Sequence, residues 1–180
     1  IDKESIIIKK LRECEKISNL IITTGGVSVG DADYIRDALN KIGRINFWKI
    51  SIKPGRPLAY GKIGKSFFFG LPGNPVSAAV TFELFVMPAI NKILGLKQKT
   101  KIIIKAKTVS EIRKKKGRVE YKRACLIQNK KGSFVKISGL QGSNILTSLS
   151  KANCYIRLAS NVNVIKKDSV VDVIPFSEEI

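Results

Sequence analysis

The chain contains no histidine and only three cysteines, and we expect no apolar run that approaches the roughly 20 residues of a membrane helix. The lack of imidazole excludes histidine as a catalytic base or metal ligand. Cys14, Cys125 and Cys154 are odd in number and fit neither a metal-ligand spacing nor a disulfide framework, which indicates a reducing, cytoplasmic compartment. We expect no membrane partner and no secretory signal. Because the first residue is Ile1, we also expect the chain to begin inside a longer protein.

Acidic residues are scarce as well. The 14 Asp and Glu residues against 33 Lys and Arg residues leave a net charge of +19. Residues 97–180 hold 19 of the basic residues and 6 of the acidic ones, so they carry +13 of that charge. Such a balance invites a nucleic-acid interpretation. However, the basic residues are scattered through strand-like segments without interleaved aromatic residues, so we do not expect nucleic-acid binding.

The hydrophobic pattern changes character near Gly95. Before it, helical and strand-like patterns alternate, which predicts an α/β domain with helices on both faces of a parallel or mixed sheet. After it, short β-like runs separated by small and polar residues predict a small all-β barrel or sandwich. We therefore expect two domains, 1–96 and 97–180. The predicted helices are 3–18, 31–42 and 76–94, and the predicted strands are 20–24, 45–52, 58–61, 66–69, 101–109, 119–128, 133–138, 153–158 and 170–175.

A glycine-rich loop follows the first predicted strand and precedes a predicted helix. Glycines let the backbone approach an anion closely, and a helix N-terminus points free N–H groups at it. The loop also carries Asp31 and Asp33, which favour a metal ion or a hydroxyl- or amine-bearing ligand. An ordinary turn with Asp31 as helix N-cap is the alternative. Ser28 has no base partner in a histidine-free chain, so we do not expect a serine nucleophile. The candidate anion-binding residues here are Gly25, Gly26, Ser28, Gly30 and Asp31.

Two further loops follow predicted strands. Lys49 and Lys53 are four residues apart on one predicted strand and would share a face, with Arg56 as a third cation. The third loop consists of Pro72, Gly73, Asn74 and Pro75, whose prolines restrict the backbone and push Asn74 to an extended conformation. Ligands of open α/β sheets bind outside the carboxyl ends of the strands, so the three loops are expected to line one crevice. A solvated basic edge and a purely structural turn remain the alternatives.

Other candidates are weaker. Trp48 and the run Phe67–Phe69 are the wide aromatic side chains near these loops, and we expect them in the core rather than stacked on a ligand. In the second domain, Arg118 lies near a predicted turn, and Ser143 lies in a loop of small residues that can approach a ligand.

Five segments together resemble the molybdopterin molybdenumtransferase family, that is, MoeA and the gephyrin E domain. They are TTGGVSVGDADY, FWKISIKPGRP, FFFGLPGNPVSAAVTFELFVMPAI, GRVEYKR and QGSNILTSLSKAN, in the order of the family. The resemblance implies a MogA-like three-layer molybdopterin-binding domain without its N-terminal part over residues 1–96. Over residues 97–180 it implies the C-terminal β-barrel domain of MoeA.

The resemblance also implies an activity. Family members insert molybdenum from molybdate into adenylylated molybdopterin with Mg²⁺ and release AMP. The positions that match are Asp33, Lys49 and Lys53 for catalysis, with Asp33 also for the metal, and the loop of Pro72 and Pro75; Asp2, Arg118 or Arg123, and Ser143 match less closely. A homodimer through N-terminal domains and a MogA-like partner are further expectations. The alternative is a module that binds molybdopterin or serves as a scaffold without catalysis.

Overall fold

The computed structural model describes residues 4–26, 34–97 and 101–176, with backbone only at 34, 35, 47 and 48. The chain forms two compact units. One consists of residues 1–50 and 55–94, and the other of residues 51–54 and 95–180. The sequence placed 51–54 in the first domain. The structure places this segment in the second unit because Ile52 and Lys53 pair with a strand there.

The elements of the first unit alternate between helices and strands, as the hydrophobic pattern predicts. The long apolar helix is interrupted by one π-helical turn at Phe82–Val86. In chain order the elements are α1 (Glu4–Ile17), β1 (Leu20–Thr24), α2 (Tyr34–Ile42), β2 (Gly43–Lys49), β3 (Ile52–Lys53, of the second unit), β4 (Pro57–Ile63), β5 (Ser66–Leu71), α3 (Pro75–Thr81) and α4 (Met87–Ile93).

The sheet of the first unit has the order β1-β5-β4-β2, with β1 and β5 parallel and the other pairs antiparallel. Successive strand residues point to opposite faces. Phe68 therefore packs with Leu11 and Leu39 of α1 and α2, and Phe69 packs with Val86 of the long helix. Burial of each phenylalanine stabilises the fold by about 1.5–3 kcal/mol. The result is the predicted three-layer α/β arrangement with Phe68 and Phe69 in its core, whereas Phe67 is only half-buried, with the Lys62 Nζ 4.7 Å from its ring centroid.

The helical stretch Pro75–Ile93 is 19 residues long and apolar enough, with a hydropathy of 1.4, to cross a membrane by length and composition alone. The expectation that no segment reaches this length is therefore wrong. Apolar side chains of this helical stretch pack within the unit. Val76, Val80 and Val86 are buried, and Val86 belongs to the core cluster that contains Phe69. Pro88 lies in the first turn of α4 and has no N–H to donate to a helical hydrogen bond. The π-helical turn lies immediately before that first turn of α4.

Two glycines of β2 and β4 are required by close backbone approach. A Cβ on Gly43 would lie 2.7 Å from the carbonyl oxygen of Lys62, and one on Gly61 would lie 2.1 Å from that of Arg44. The sequence predicts Gly43 as the C-cap of α2, but it is the first residue of β2. Its small size matters for strand pairing rather than for a left-handed cap.

The second unit is built almost entirely from strands. Its longest strand, β8, pairs with two neighbours and also carries β3 near its beginning. Besides β3, the elements are β6 (Ile104–Thr108), β7 (Ile112–Arg113), β8 (Val119–Asn129), β9 (Gly132–Ile137), α5 (Thr147–Ser150), β10 (Cys154–Leu158), β11 (Val164–Ile165) and β12 (Val170–Pro175).

The strands β8, β9, β6, β12 and β10 pair in succession, and β10 pairs back onto β8. This closes a five-stranded barrel around a core that contains Ala124, Val135, Ile156 and Val173. The predicted small β-barrel is confirmed. The short β7–β11 ladder and the one-turn helix α5 were not predicted, because elements of two to four residues carry no readable period.

Candidate functional site

The loops singled out in the first unit lie at one end of its sheet. Thr24 at the end of β1 pairs with Leu71 at the end of β5. The antiparallel register brings the start of β4 to the same end, and there Pro57 pairs with Lys49, the last residue of β2. With about 4.8 Å between strands, roughly 14 Å of sheet separates the outer two loops. The three loops thus begin at one end of the sheet, as the topological argument from the sequence expects, whereas their lining of one crevice stays a prediction.

The glycine loop and the proline loop touch each other. The Gly25 N–H donates to the Leu71 carbonyl at 2.9 Å, and Gly25 and Gly26 have φ of 86° and 67°. A Cβ on Gly73 would lie 3.5 Å from the Gly25 Cα. No side chain therefore lies between the two backbones, and a ligand can approach the backbone of both loops closely.

The proline loop also caps the long helix. Asn74 is extended, with φ −67° and ψ 123°, as its position before a proline predicts. The carbonyl of Asn74 accepts the first helical hydrogen bond, from the Ala78 N–H at 2.9 Å. Pro72 is buried, whereas Gly73, Asn74 and Pro75 are exposed. The loop thus performs the structural role that the sequence left open and still presents backbone to solvent.

Exposed cations flank the same end of the sheet. Lys49 and Arg56 are both exposed, and the Ile50 N–H donates to the Arg56 carbonyl at 2.8 Å, which closes the loop between them. The prediction that Lys49 and Lys53 share one face of one strand is wrong. The strand ends at Lys49, and Lys53 lies on β3 in the other unit, because residues 50–51 turn the chain toward β8.

Lys53 belongs to a cluster of charges in the second unit. Its backbone lies in register with Glu120 of β8, and its Nζ lies 3.0 Å from Glu120 Oε1. Lys122, two residues along β8, places its Nζ 3.4 Å from the same oxygen. Burial lowers the pKa of Lys122, and the nearby charge of Glu120 offsets part of that effect. Sequence reasoning missed Glu120 and Lys122, although their alternation inside a strand of apolar neighbours was a visible signal.

The two arginines of the GRVEYKR segment have different surroundings. Arg118 is exposed. Arg123 is 1% exposed, and its Nη2 donates to the carbonyls of Leu140 (3.2 Å) and Gly142 (2.9 Å). Arg123 therefore holds the loop that carries Ser143 and cannot also reach a ligand with those donors. Between the two arginines left open by the resemblance, the exposed Arg118 is the better candidate for ligand contact.

Several candidates lie outside the described residues, namely Asp2, Ser28, Gly30, Asp31 and Asp33. Within the described parts of the chain, no group of three or more Cys, Asp or Glu side chains is placed to hold a metal ion. Asp33, the expected Mg²⁺ ligand, is among the residues outside the described ones.

A three-layer α/β unit with paired glycine and proline loops, followed by a closed β-barrel, defines a two-domain class of protein. Residues 2–92 match the family described as "Probable molybdopterin binding domain". Residues 105–176 match the family described as "MoeA C-terminal region (domain IV)". The chain belongs to the molybdopterin-binding family and carries the MoeA C-terminal region after that domain.

Individual relatives agree with this assignment. The chain is 40% identical over 178 residues to a molybdopterin molybdenumtransferase of Haemophilus influenzae, which covers 98% of the chain and 44% of the relative. It is 35% identical over 198 residues to gephyrin of Dictyostelium discoideum, covering 96% of the chain and 27% of the relative. The chain thus spans less than half the length of either relative.

Solved structures show the same fold. A crystal structure of the molybdopterin biosynthesis MoeA protein from Pyrococcus horikoshii OT3 superimposes with a TM-score of 0.74 at 27% identity. That match covers 97% of this chain and 40% of the Pyrococcus chain.

Proposed function

We propose that this chain acts in molybdenum cofactor biosynthesis as part of a molybdopterin molybdenumtransferase. In the proposed reaction, molybdenum from molybdate enters adenylylated molybdopterin with Mg²⁺ present, and AMP is released. The observation that carries the proposal is the set of loops at one end of the first sheet, in a chain whose two domains match the family in order.

The chemistry of these loops suits an anionic pterin. Gly25 and Gly73 leave room for close backbone approach, and the exposed Lys49 and Arg56 supply positive charge at the same end of the sheet. Lysine acts as a compact point charge, which suits both a phosphate and a small dianion such as molybdate. These features support binding of the pterin phosphate or molybdate by this end of the first unit.

Two further residues are assigned from the resemblance. Lys53, half-exposed on β3, is proposed as a second cation for molybdate or phosphate. Asp33 is proposed as the Mg²⁺ ligand. When bound, Mg²⁺ would neutralise phosphate oxygens. In the second unit, the exposed Arg118 and the half-buried Ser143 are proposed as ligand-binding residues.

The test is a turnover assay with matched lysine variants. The chain is incubated with adenylylated molybdopterin, molybdate and Mg²⁺, and AMP is quantified by chromatography. Lys53→Ala and Lys49→Ala should each sharply reduce molybdate-dependent AMP release. Lys65→Ala removes an equally exposed lysine from the β4–β5 turn at the opposite end of the sheet and should leave release unchanged. Unchanged release in Lys53→Ala would contradict its assignment.

A second candidate is a module that binds molybdopterin or a partner without catalysis. It is favoured by one observation, that residues 2–92 match a family described by binding alone, "Probable molybdopterin binding domain". The same assay separates the two functions. A binding module would show saturable binding of adenylylated molybdopterin, lost in an Asp33→Ala, Lys53→Ala double variant, and no AMP release.

The assembly in which the chain works is also a proposal. We propose a cytoplasmic homodimer formed through the N-terminal domains of the longer protein, with a MogA-like protein as the supplier of adenylylated molybdopterin. Sedimentation velocity of the chain and of a full-length relative tests the dimer. A dimer of the chain alone would show that the N-terminal domains are not required.

A further inference from the structure

The cluster of Lys53, Glu120 and Lys122 lies in an unusual place for charged groups. In the antiparallel pair of β8 and β10, Glu120 is opposite Leu158 and Lys122 is opposite Ile156. Directly opposed residues share a face of the sheet, and Leu158 and Ile156 belong to the barrel core. Glu120 and Lys122 therefore face the barrel interior, at the end where β8 begins.

Burial differs sharply within the cluster. The side chains of Glu120 and Lys122 are 5% and 9% exposed, whereas that of Lys53 is 48% exposed. Both lysines approach the same oxygen, Glu120 Oε1, at 3.0 Å and 3.4 Å. The cluster thus consists of one buried carboxylate, Glu120, paired with one buried cation, Lys122, and with one cation that reaches solvent, Lys53.

Stability alone does not explain such a cluster. Buried ion pairs are costly to desolvate, and apolar residues of similar volume often give equal or greater stability. The remaining interior of the barrel follows that rule, with alanine, valine, isoleucine and leucine around its core. The charges at this end of the barrel are better explained by what the exposed member, Lys53, does.

We propose that Glu120 is a positioning residue that holds the Lys53 ammonium for anion binding, while Lys122 keeps Glu120 paired when Lys53 contacts the anion. This deepens the proposed function and rests on it for the role of Lys53. The pairing of β3 with β8 fixes the backbone of Lys53 beside Glu120. Glu120 then restricts the flexible lysine side chain to one direction, which lowers the entropy lost when the anion binds.

The second lysine makes this arrangement reversible. When Lys53 shares its three N–H donors between an anion and Glu120, its contact with Glu120 weakens, and a buried carboxylate without a partner would be strongly unfavourable. Lys122 lies within 3.4 Å of the same oxygen and supplies that partner. The site can therefore release Lys53 to an anion without leaving a buried charge unpaired.

The first test measures the lysine itself and does not depend on activity. Lysine labelled with ¹³C at Cε is introduced into the whole chain, and the Lys53 signal is assigned from its loss in Lys53→Ala. In Glu120→Gln, the relaxation of that signal should show a clear gain in mobility. Asp172→Asn is the matched control, because Asp172 pairs with Lys105 and with Arg157 on other strands of the same barrel. Unchanged mobility of Lys53 in Glu120→Gln would overturn the proposal.

The second test is a double-mutant cycle on AMP release. Glu120→Gln should lower kcat/KM about tenfold, the lower end of the loss seen when a metal ligand loses its outer partner, and Glu120→Asp should recover part of the loss. In the Lys53→Ala background the same change should cost less than about twofold, because residues that act through one another are not additive. A purely structural role would give equal losses in both backgrounds, and that result would overturn the proposal.

The outcomes separate this inference from the proposed function. No AMP release by the unmodified chain would contradict turnover by this chain alone and favour the binding module, and the mobility of Lys53 would still decide whether Glu120 holds it. AMP release with additive losses would leave the proposed function standing and remove the role of Glu120. Urea unfolding of each variant, monitored by circular dichroism, shows that the chains compared are folded.

Discussion

Arg123 is the buried side chain with the largest predicted effect on the second unit. It is 1% exposed, and its guanidinium donates to the Leu140 and Gly142 carbonyls and, from both Nε (3.1 Å) and Nη2 (2.9 Å), to Ser148 Oγ. The backbone N–H of Arg123 donates to Gln141 Oε1 at 2.9 Å. One planar group thus ties β8 to the loop and helix that follow β9.

The perturbation is Arg123→Lys, which keeps the charge and removes the fork of donors. A single ammonium replaces two nitrogens of the guanidinium, so we expect it to lose about two of the four bonds. At about 1.5–3 kcal/mol for each hydrogen bond to a charged donor, we expect the free energy of unfolding to fall by about 3–6 kcal/mol. Because the lost bonds also hold Gly142 beside Ser143, we expect weaker binding of adenylylated molybdopterin as well.

The assay is urea unfolding followed by far-ultraviolet circular dichroism, with calorimetry to separate the transitions of the two units. Arg157→Lys is the matched control, because Arg157 lies on the same barrel with a side chain 44% exposed and an ion pair at 3.7 Å. Exposed pairs of this kind contribute about 0–1 kcal/mol, so the control should change little. If the free energy of unfolding falls by less than about 1 kcal/mol in Arg123→Lys, the reasoning is refuted, because water or the lysine ammonium then replaces the donors of the guanidinium.

Three further changes test other parts of the fold. Gly61→Ala places a Cβ 2.1 Å from the Arg44 carbonyl, so calorimetry should show the first unit destabilised by about 3 kcal/mol; an unchanged melting temperature would contradict the strand geometry. Burial lowers the pKa of Lys122 from its ordinary 10.5, so between that lowered pKa and 10.5 the unfolded chain binds more protons and unfolding free energy rises with pH. Urea titrations from about pH 8 up to that ordinary pKa should show a smaller rise of the unfolding free energy in Lys122→Met than in the unmodified chain. Burial raises the pKa of Cys154 to about 12, with a smaller contribution from Cys125. N-ethylmaleimide at neutral pH should therefore label the other two cysteines, as seen by mass spectrometry, and labelling of Cys154 would contradict its burial.

Local pattern was sufficient for most elements because their periods are long enough to read. The strand Leu20–Thr24 and the strand 170–175 have the predicted bounds, and the helix predicted over 3–18 is Glu4–Ile17. Where a residue's role depends on a neighbour distant in sequence, the pattern was misleading. Gly43 illustrates this, because only the approach of Lys62 on β4 shows why a small residue is needed there.

The candidate site divides in the same way. Gly25, Lys49 and Gly73 could be grouped from the sequence, because each belongs to a loop at the end of a strand and the ends of such strands meet at one edge of a sheet. The pairing of Lys53 with Glu120 was not predictable, since β3 has only two residues and its partner lies 67 residues further on.

The sequence by itself determined the two-domain organisation, the α/β and β-barrel classes and the family, because alternating hydrophobic periods and long motifs are local properties of the chain. Only the tertiary structure decided that residues 51–54 join the barrel, that Arg123 is buried while Arg118 is exposed, and that Lys53 shares a buried carboxylate with Lys122. These features depend on strand register and burial, which arise when segments distant in sequence pair and exclude water.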